Sequence, residues 1–244
     1  MNESFLRTRM ILGEQAMDRL ARSHVAVFGL GGVGSYVVEC LARSGVGELT
    51  LIDSDCYSIS NINRQIGALH STSGRPKAEV LAERCRDINP EIRVHPITGM
   101  YTAEDRERFW GDYDYVADCI DLVACKLDLI ETALARNIPI LSALGTGNKL
   151  DPTLLTVTDI SKTTGCPLAR VMRKELRSRG IHHLKVVFSP EEAAETEQLE
   201  TPPPGRRSVP ASVAWVPSCA GLMMGGAIVQ DLAANERNRS SVQG

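Results

Sequence analysis

No two cysteines in this chain are spaced Cys-x-x-Cys. That omission argues against a structural zinc site and against a thioredoxin-like redox motif. The seven cysteines, Cys40, Cys56, Cys85, Cys119, Cys125, Cys166 and Cys219, are odd in number. The polar start Met1-Asn2-Glu3-Ser4 lacks a hydrophobic signal core. Together these features predict reduced thiols and a cytoplasmic location. An uninterrupted apolar run of about 18 residues, the length of a spanning helix, is also missing. The nearest approach, Val216 to Val229, is rich in glycine, methionine and alanine and stops at Gln230-Asp231. It reads as a buried helix; monotopic membrane contact is left open but is not indicated. Nor is positive charge in excess. With a net charge of −3, an RNA partner would need a local basic patch, and no DNA partner is expected. The remainder is ordinary for a globular protein: 43% hydrophobic and 23% charged over 244 residues, enough for one sizeable core.

The feature that is present and informative is Gly29-Leu30-Gly31-Gly32-Val33-Gly34. His24–Phe28, before it, is a short β-branched apolar run that predicts a buried strand, and a helical pattern from Val33 to Arg43 follows. Glycines at such a turn accept positive φ and let backbone N–H groups approach phosphates, and the helix N-terminus adds partial positive charge. A second strand, Glu48–Ile52, ends at Asp53, placed to accept from a ribose hydroxyl.

Strand and helix patterns alternate from 24 to 143. Helices are expected at Pro76–Asn89, Ala103–Trp110 and Leu122–Arg136, and strands at Ile92–Ile97, Tyr113–Ile120 and Ile138–Ser142. This alternation predicts an α/β fold: a Rossmann-like, mostly parallel sheet with helices on both faces. A strand at Leu154–Ile160, a helix at Pro167–Arg179 and a strand at Leu184–Phe188 predict a smaller C-terminal extension continuing the sheet. Ser189–Pro210 is acidic and then proline-rich, which reads as a mobile loop, and a last helix is expected over Ala220–Ala233. One domain over 1–244 is expected: an N-terminal helical arm (1–22), a nucleotide-binding core (23–150) and a substrate-side extension (151–244). No internal repeat is visible.

The long segment between Asp53 and the helix at Pro76 carries Asn61, Asn63, Arg64 and Gln65. Arg64 can grip phosphate oxygens with two parallel donors, and Lys77, in the first turn of the next helix, can act as a point charge on a phosphate. Asp118 and Asp121 bracket the end of an apolar strand. A carboxylate near a polyphosphate is repulsive unless a cation intervenes, and Mg²⁺ needs only one such acid besides phosphate oxygens and water. Asp121 is the metal candidate; Asp118 reads as a structural cap. Farther on, Arg170, Arg173, Lys174 and Arg177 fall at i, i+3, i+4 and i+7, one helical face, as candidates for tRNA contact or for a solvated surface.

On these residues the chain resembles the superfamily of ubiquitin-activating-like adenylating enzymes. The resemblance rests on Gly29–Gly34, Asp53-x-Asp55, Ser60-Asn61-x-Asn63-Arg64-Gln65, Gly74-Arg75-Pro76-Lys77 and Cys119-Ile120-Asp121. It implies binding of ATP and Mg²⁺ through Gly29, Gly31, Gly32, Gly34, Asp53, Asp55, Asn61, Arg64, Gln65 and Lys77. It also implies activation of a carboxylate as an acyl-adenylate. It further implies a homodimer in which Arg9, before Met10-Ile11-Leu12-Gly13, reaches the partner's ATP and joins Arg64, Lys77 and Asp121 in catalysis. Asn63-Arg-Gln-Ile-x-Ala-Leu, Ile88-Asn-Pro-Glu, Asp151-Pro-Thr, Val157-Thr-Asp-Ile-x-Lys-Thr and Pro167-Leu-Ala resemble the branch that dehydrates threonylcarbamoyladenosine in tRNA. That branch implies adenylation of the threonyl carboxylate, ring closure and release of AMP and pyrophosphate. Whether a cysteine desulfurase or sulfur-acceptor relay assists is left open.

Three rivals stand beside this reading. An activator of the C-terminal glycine of a ubiquitin-like sulfur carrier would share the ATP site, but its relatives often hold zinc through paired Cys-x-x-Cys. A nicotinamide oxidoreductase would leave Arg64, Lys77 and Asp121 unexplained. A non-catalytic RNA-binding or sulfur-transfer scaffold that has kept the fold would not consume ATP. Cys219, in Pro217-Ser218-Cys219-Ala220 at an expected helix start, is either an activated thiol or a small buried residue.

Overall fold

The computed structural model describes residues 3–197, 199 and 209–240, with side chains up to 234. Seven strands form one sheet: β1 (His24–Phe28), β2 (Glu48–Asp53), β3 (Arg93–Thr98), β4 (Tyr115–Asp118), β5 (Ile140–Ala143), β6 (Thr156–Asp159) and β7 (Lys185–Phe188). Their order is β3-β2-β1-β4-β5-β7-β6. All neighbours run parallel except β6 and β7, an antiparallel edge pair. The C-terminal segments therefore extend the same sheet. Strand order reverses between β1 and β4, and the crevice beyond the carboxyl ends at such a reversal is where open α/β sheets bind ligands.

Side-chain alternation along the strands splits the core into two layers. Val25 and Val27 of β1 and Leu49 and Leu51 of β2 face one layer, whereas Ala26, Phe28 and Ile52 face the other. The first layer is closed by α2 (Glu14–Arg22), α3 (Gly34–Arg43), α4 (Lys77–Ile88) and α7 (Trp215–Ser240). The second is closed by α5 (Val123–Ala135), α6 (Pro167–Ser178) and the aromatic group Tyr101, Phe109 and Tyr113. A fully buried valine or leucine of this kind contributes about 1.5–3 kcal/mol. A short helix α1 (Leu6–Leu12) precedes α2 and completes the expected arm.

The Ala103–Trp110 helix is not formed; only a single 3₁₀ turn, Arg106–Phe109, occurs there. Phe109 is pulled fully into the core against Tyr101, and that tertiary contact overrides the helical pattern. The last helix is longer than expected and begins at Trp215, which places Cys219 at its fifth residue rather than at its start. Helix α7 is long and apolar enough to cross a membrane by length and composition. Yet Val216, Ala220, Met224, Ile228 and Leu232, one residue per turn, are buried in the core. A Cβ on Gly221 would lie 2.4 Å from the Val33 carbonyl oxygen, and one on Gly225 would lie 2.6 Å from Cys40 Cβ, so only glycine permits so close a packing on α3.

The segment after β7 is tied down where it begins. Ser189 is fully buried and its carbonyl accepts from Lys149 Nζ at 2.5 Å. The Glu191 carboxylate accepts from the backbone N–H groups of Leu150 and Asp151 at 2.8 and 3.1 Å. The mobile reading therefore fails for 189–191, where an acid caps a turn; residues 198 and 200–208 of that segment lie outside the described residues.

Candidate functional site

The glycine turn sits at the carboxyl end of β1, beside the end of β4. Gly29 has φ +86°, and a Cβ there would lie 2.7 Å from the Cys119 carbonyl oxygen. A Cβ on Gly34 would lie 1.8 Å from the Gly29 carbonyl oxygen. Both positions require glycine, so the turn presses directly onto the chain that leaves β4.

Asp53, at the end of β2, holds this turn in place. Its Oδ2 accepts from the Leu30 N–H at 2.6 Å, its Oδ1 accepts from the Asp55 N–H at 2.8 Å, and Lys77 Nζ stands 3.9 Å away. Burial pushes the Asp53 carboxyl up from its ordinary range, opposed by Lys77 and the two N–H donors. A carboxylate has roughly four acceptor positions, so the bonds to the turn leave room for a ribose hydroxyl. The local sequence did not show that Asp53 holds the turn.

Lys77, in the first turn of α4, is buried, and its Nζ donates to Asp55 Oδ2 at 2.9 Å. Asp55 itself is largely exposed, with 65% of its side chain open. The 54–75 segment folds into short 3₁₀ turns. Asn61 Oδ1 accepts from the Ser58 N–H at 3.1 Å, and Asn63 Nδ2 donates to the Ser212 carbonyl at 3.0 Å. Arg64 Nη1 donates to the Ser60 carbonyl at 3.0 Å and to Asn63 Oδ1 at 2.8 Å, and its Cγ lies 3.6 Å from where a Gly32 Cβ would stand. Gln65 is buried with Nε2 3.9 Å from the corresponding point on Gly31, and its Oε1 has no hydrogen-bond partner among the described residues. An unpaired buried acceptor costs stability unless a ligand or water satisfies it. Its place beside the glycine turn fits a bound nucleotide.

Helix α7 closes the other side, with Pro217 3.2 Å from the Gly32 Cβ position. The chain leading into it is clamped by Asn148, whose N–H donates to the Ala211 carbonyl at 2.8 Å and whose Oδ1 accepts from the Ala211 N–H at 2.7 Å. The Asp151-Pro-Thr motif follows directly, and Trp215 Nε1 donates to the Leu150 carbonyl at 2.7 Å.

Asp121 is exposed just past the end of β4. A lone exposed carboxylate at this strand end is an oxygen donor, which suits Mg²⁺ better than a transition metal. Asp118 is fully buried and bonded to Lys126 and Ser142, a structural role as expected. Burial pushes the Cys119 thiol up, which disfavours the thiolate. Arg9 lies on α1 and pairs with Glu14 at 3.3 Å. On α6, Arg170, Lys174 and Arg177 are exposed. Arg173 is not part of that open face: its Nη1 donates to the carbonyl and hydroxyl oxygens of Thr163, which the helical spacing could not reveal. Lys126 and Lys149 were missed as buried cations. A lone lysine on the same face as Ile130 and Ala133 of α5 was the available signal for Lys126.

Other proteins share this fold. The tRNA threonylcarbamoyladenosine dehydratase of Bacillus subtilis (strain 168) is 43% identical over 243 residues, covering 95% of each chain. The crystal structure of the E. coli tRNA N6-threonylcarbamoyladenosine dehydratase TcdA in complex with ATP aligns with a TM-score of 0.83 at 35% identity, covering 99% of this chain and 97% of that one. The same E. coli enzyme in complex with AMP gives 0.84 at 36% identity, covering 94% and 93%. Residues 5–240 match the family model, and the chain belongs to the ThiF family.

Proposed function

We propose that this protein is an ATP-dependent adenylating enzyme that converts N6-threonylcarbamoyladenosine in tRNA to its cyclic form. The observation that carries the reading is the 43% identity to a dehydratase of that name over 95% of both chains, through the C-terminal extension as well as the glycine turn.

The chemistry follows from a poor electrophile. A carboxylate cannot expel oxide, so its oxygen first attacks the α-phosphorus of ATP and pyrophosphate departs. The carbamoyl group then attacks the activated carbonyl, closes the ring and expels AMP. The elements of one water leave the nucleoside and are taken up in splitting ATP. Ring closure is intramolecular, so proximity favours it and no nucleophile from the protein is needed.

The chain's residues have matching tasks. Gly29, Gly31, Gly32 and Gly34 present backbone N–H groups to phosphate. Asp53 takes the ribose, and Asn61 shapes the loop that presents Arg64 and Gln65. Lys77 exchanges its exposed partner Asp55 for phosphate oxygens, because a solvated carboxylate holds an ammonium only weakly. Asp121 would hold a magnesium ion, which when bound neutralises charge on the departing pyrophosphate. Arg9, on the N-terminal helix α1, serves the site of a second copy in a homodimer. Arg170, Lys174 and Arg177 meet the tRNA backbone. The unit runs as an arm (1–22), a nucleotide core (23–150) and a substrate-side extension (151–244), and it works in the cytoplasm.

The test is mass spectrometry of nucleosides from tRNA carrying threonylcarbamoyladenosine, incubated with protein, ATP and Mg²⁺ and digested mildly. ATP-dependent loss of one water is expected. Unchanged nucleoside, with folded protein and confirmed substrate, would move the reading to activation of a carrier protein.

A further inference from the structure

The least expected charged group in the molecule is Lys126. It lies on α5 with its side chain fully enclosed, and it faces Asp118, which is equally sealed. Burying two charges is costly unless their hydrogen bonds are filled. Here they are filled in a particular way. Lys126 Nζ donates to Asp118 Oδ2 at 2.7 Å, and Ser142 Oγ of β5 donates to the same oxygen at 2.6 Å. Lys126 Nζ also donates to the Ile120 carbonyl at 3.0 Å, while Asp118 Oδ1 accepts from the Ile120 N–H at 3.2 Å. Both polar groups of one backbone residue are thus clamped by the two halves of one ion pair.

Ile120 lies between the residue that supports the glycine turn and the residue that would hold the metal. On one side, the Cys119 N–H donates to the Phe28 carbonyl at 2.8 Å, and Cys119 Cβ stands 3.2 Å from where a Gly34 Cβ would lie. On the other side comes Asp121. The clamp holds the backbone at the exit of β4, immediately before Asp121. The ammonium's own charge is cancelled locally by Asp118, so it anchors without repelling a divalent cation nearby.

We propose that Lys126 is a positioning residue for the metal–triphosphate site: through Asp118 and the Ile120 backbone it sets where Asp121 meets the metal-bound phosphates. This rests on the assignment of Asp121 given above. It distinguishes two ligands. A metal–triphosphate complex depends on the position of Asp121, whereas AMP, which needs no metal, does not.

The experiment measures binding of Mn²⁺ with a non-hydrolysable ATP analogue, by the paramagnetic resonance of free Mn²⁺, alongside calorimetric binding of AMP. Two variants are used. Lys126→Met removes both lysine bonds but strands a buried carboxylate. Asp118→Asn/Lys126→Met leaves no uncompensated charge and still frees the Ile120 carbonyl. In either variant the dissociation constant for the Mn²⁺ complex is expected to rise about tenfold or more while AMP binding stays within about twofold, the scale of lost outer-shell support. Half-saturating Mg²⁺ for dehydration should rise by a similar factor. Ser142→Ala, which keeps both charges, should give a smaller shift of the same sign. An unchanged Mn²⁺-complex affinity in the folded double variant would overturn the proposal. So would an equal loss of AMP binding, which would mark a merely structural pair. Wild-type protein that binds the Mn²⁺ complex but leaves the tRNA unaltered would refute the dehydratase reading while leaving this inference standing.

Discussion

The two rims of the same sheet carry charge in different ways. At the amino ends of β1, β2 and β3, His24, Glu48 and His95 gather closely enough to share a metal, the one such group among the described residues. There Glu48 accepts from Arg93 on one oxygen and from His95 Nε2 at 2.8 Å on the other, and His24 Nε2 meets Thr50 Oγ1 at 2.8 Å. The carboxylate is already neutralised by a guanidinium that would repel an incoming cation. At the carboxyl rim, Lys77 is held by an exposed acid, Gln65 Oε1 is buried with no partner among the described residues, and glycines bring the turn against the chain that leaves β4. A closed set of ion pairs supports a fold, whereas an arrangement with weakly held partners is ready for a ligand.

The comparison breaks most sharply at Asp121. Asp121→Ala should lower pyrophosphate release on modified tRNA by about 10²–10³-fold or more, with an unchanged circular dichroism spectrum. Full activity would remove the metal assignment. Next in size is Lys77→Ala, expected to reduce kcat/KM for ATP about 10²-fold. Steady-state kinetics at saturating tRNA would show it, and a fall no larger than that of Arg75→Ala would make Lys77 an ordinary ion-pair partner. The combined change of Arg170, Lys174 and Arg177 to glutamine should weaken tRNA binding and flatten the slope of log K against log salt by about 2–3, leaving AMP binding intact. An unaltered slope would return that face to plain solvated surface.

The smallest effect is expected at the opposite rim. Hydrogen bonds from Arg93, and then His95, draw the Glu48 carboxyl down to about 2. A carboxyl depressed in the folded state adds stability that is complete above its ordinary range and lost as pH falls toward 2. Burial holds His24 below its usual value, which likewise favours the fold above that value and weakens it in acid. Glu48→Gln should leave dehydration at neutral pH unchanged while flattening the acid limb of a stability curve measured by urea unfolding. A large loss of activity would contradict the division between the two rims.

Much of this was legible in one dimension. β1, β2, β4 and β5 are apolar runs beside turn residues, so their existence followed from pattern. The glycine turn was legible because its backbone conformation demands glycine at Gly29 and Gly34, and Asp53, Arg64 and Lys77 were singled out because phosphate and ribose chemistry calls for those residue types. Arg173 misled because helical spacing gives a face but not the carbonyl waiting beyond it at Thr163. The Ala103–Trp110 region misled because the burial of Phe109 outweighed a short helical pattern. Asp118 and Asp121 were seen as a pair at a strand end, but their opposite fates depended on a lysine in the next helix and a serine on the next strand.

The sequence by itself determined the α/β alternation, the helical arm, the nucleotide turn and the family resemblance, because each rests on neighbouring residues and their conformational preferences. Only the tertiary structure decided the strand order, the seating of α7 through Gly221 and Gly225, the hold of Asp53 on the glycine turn and the sealed clamp of Lys126 on Ile120. Those depend on which distant groups meet in the interior, where desolvation makes every unmatched polar atom costly and so fixes each partner.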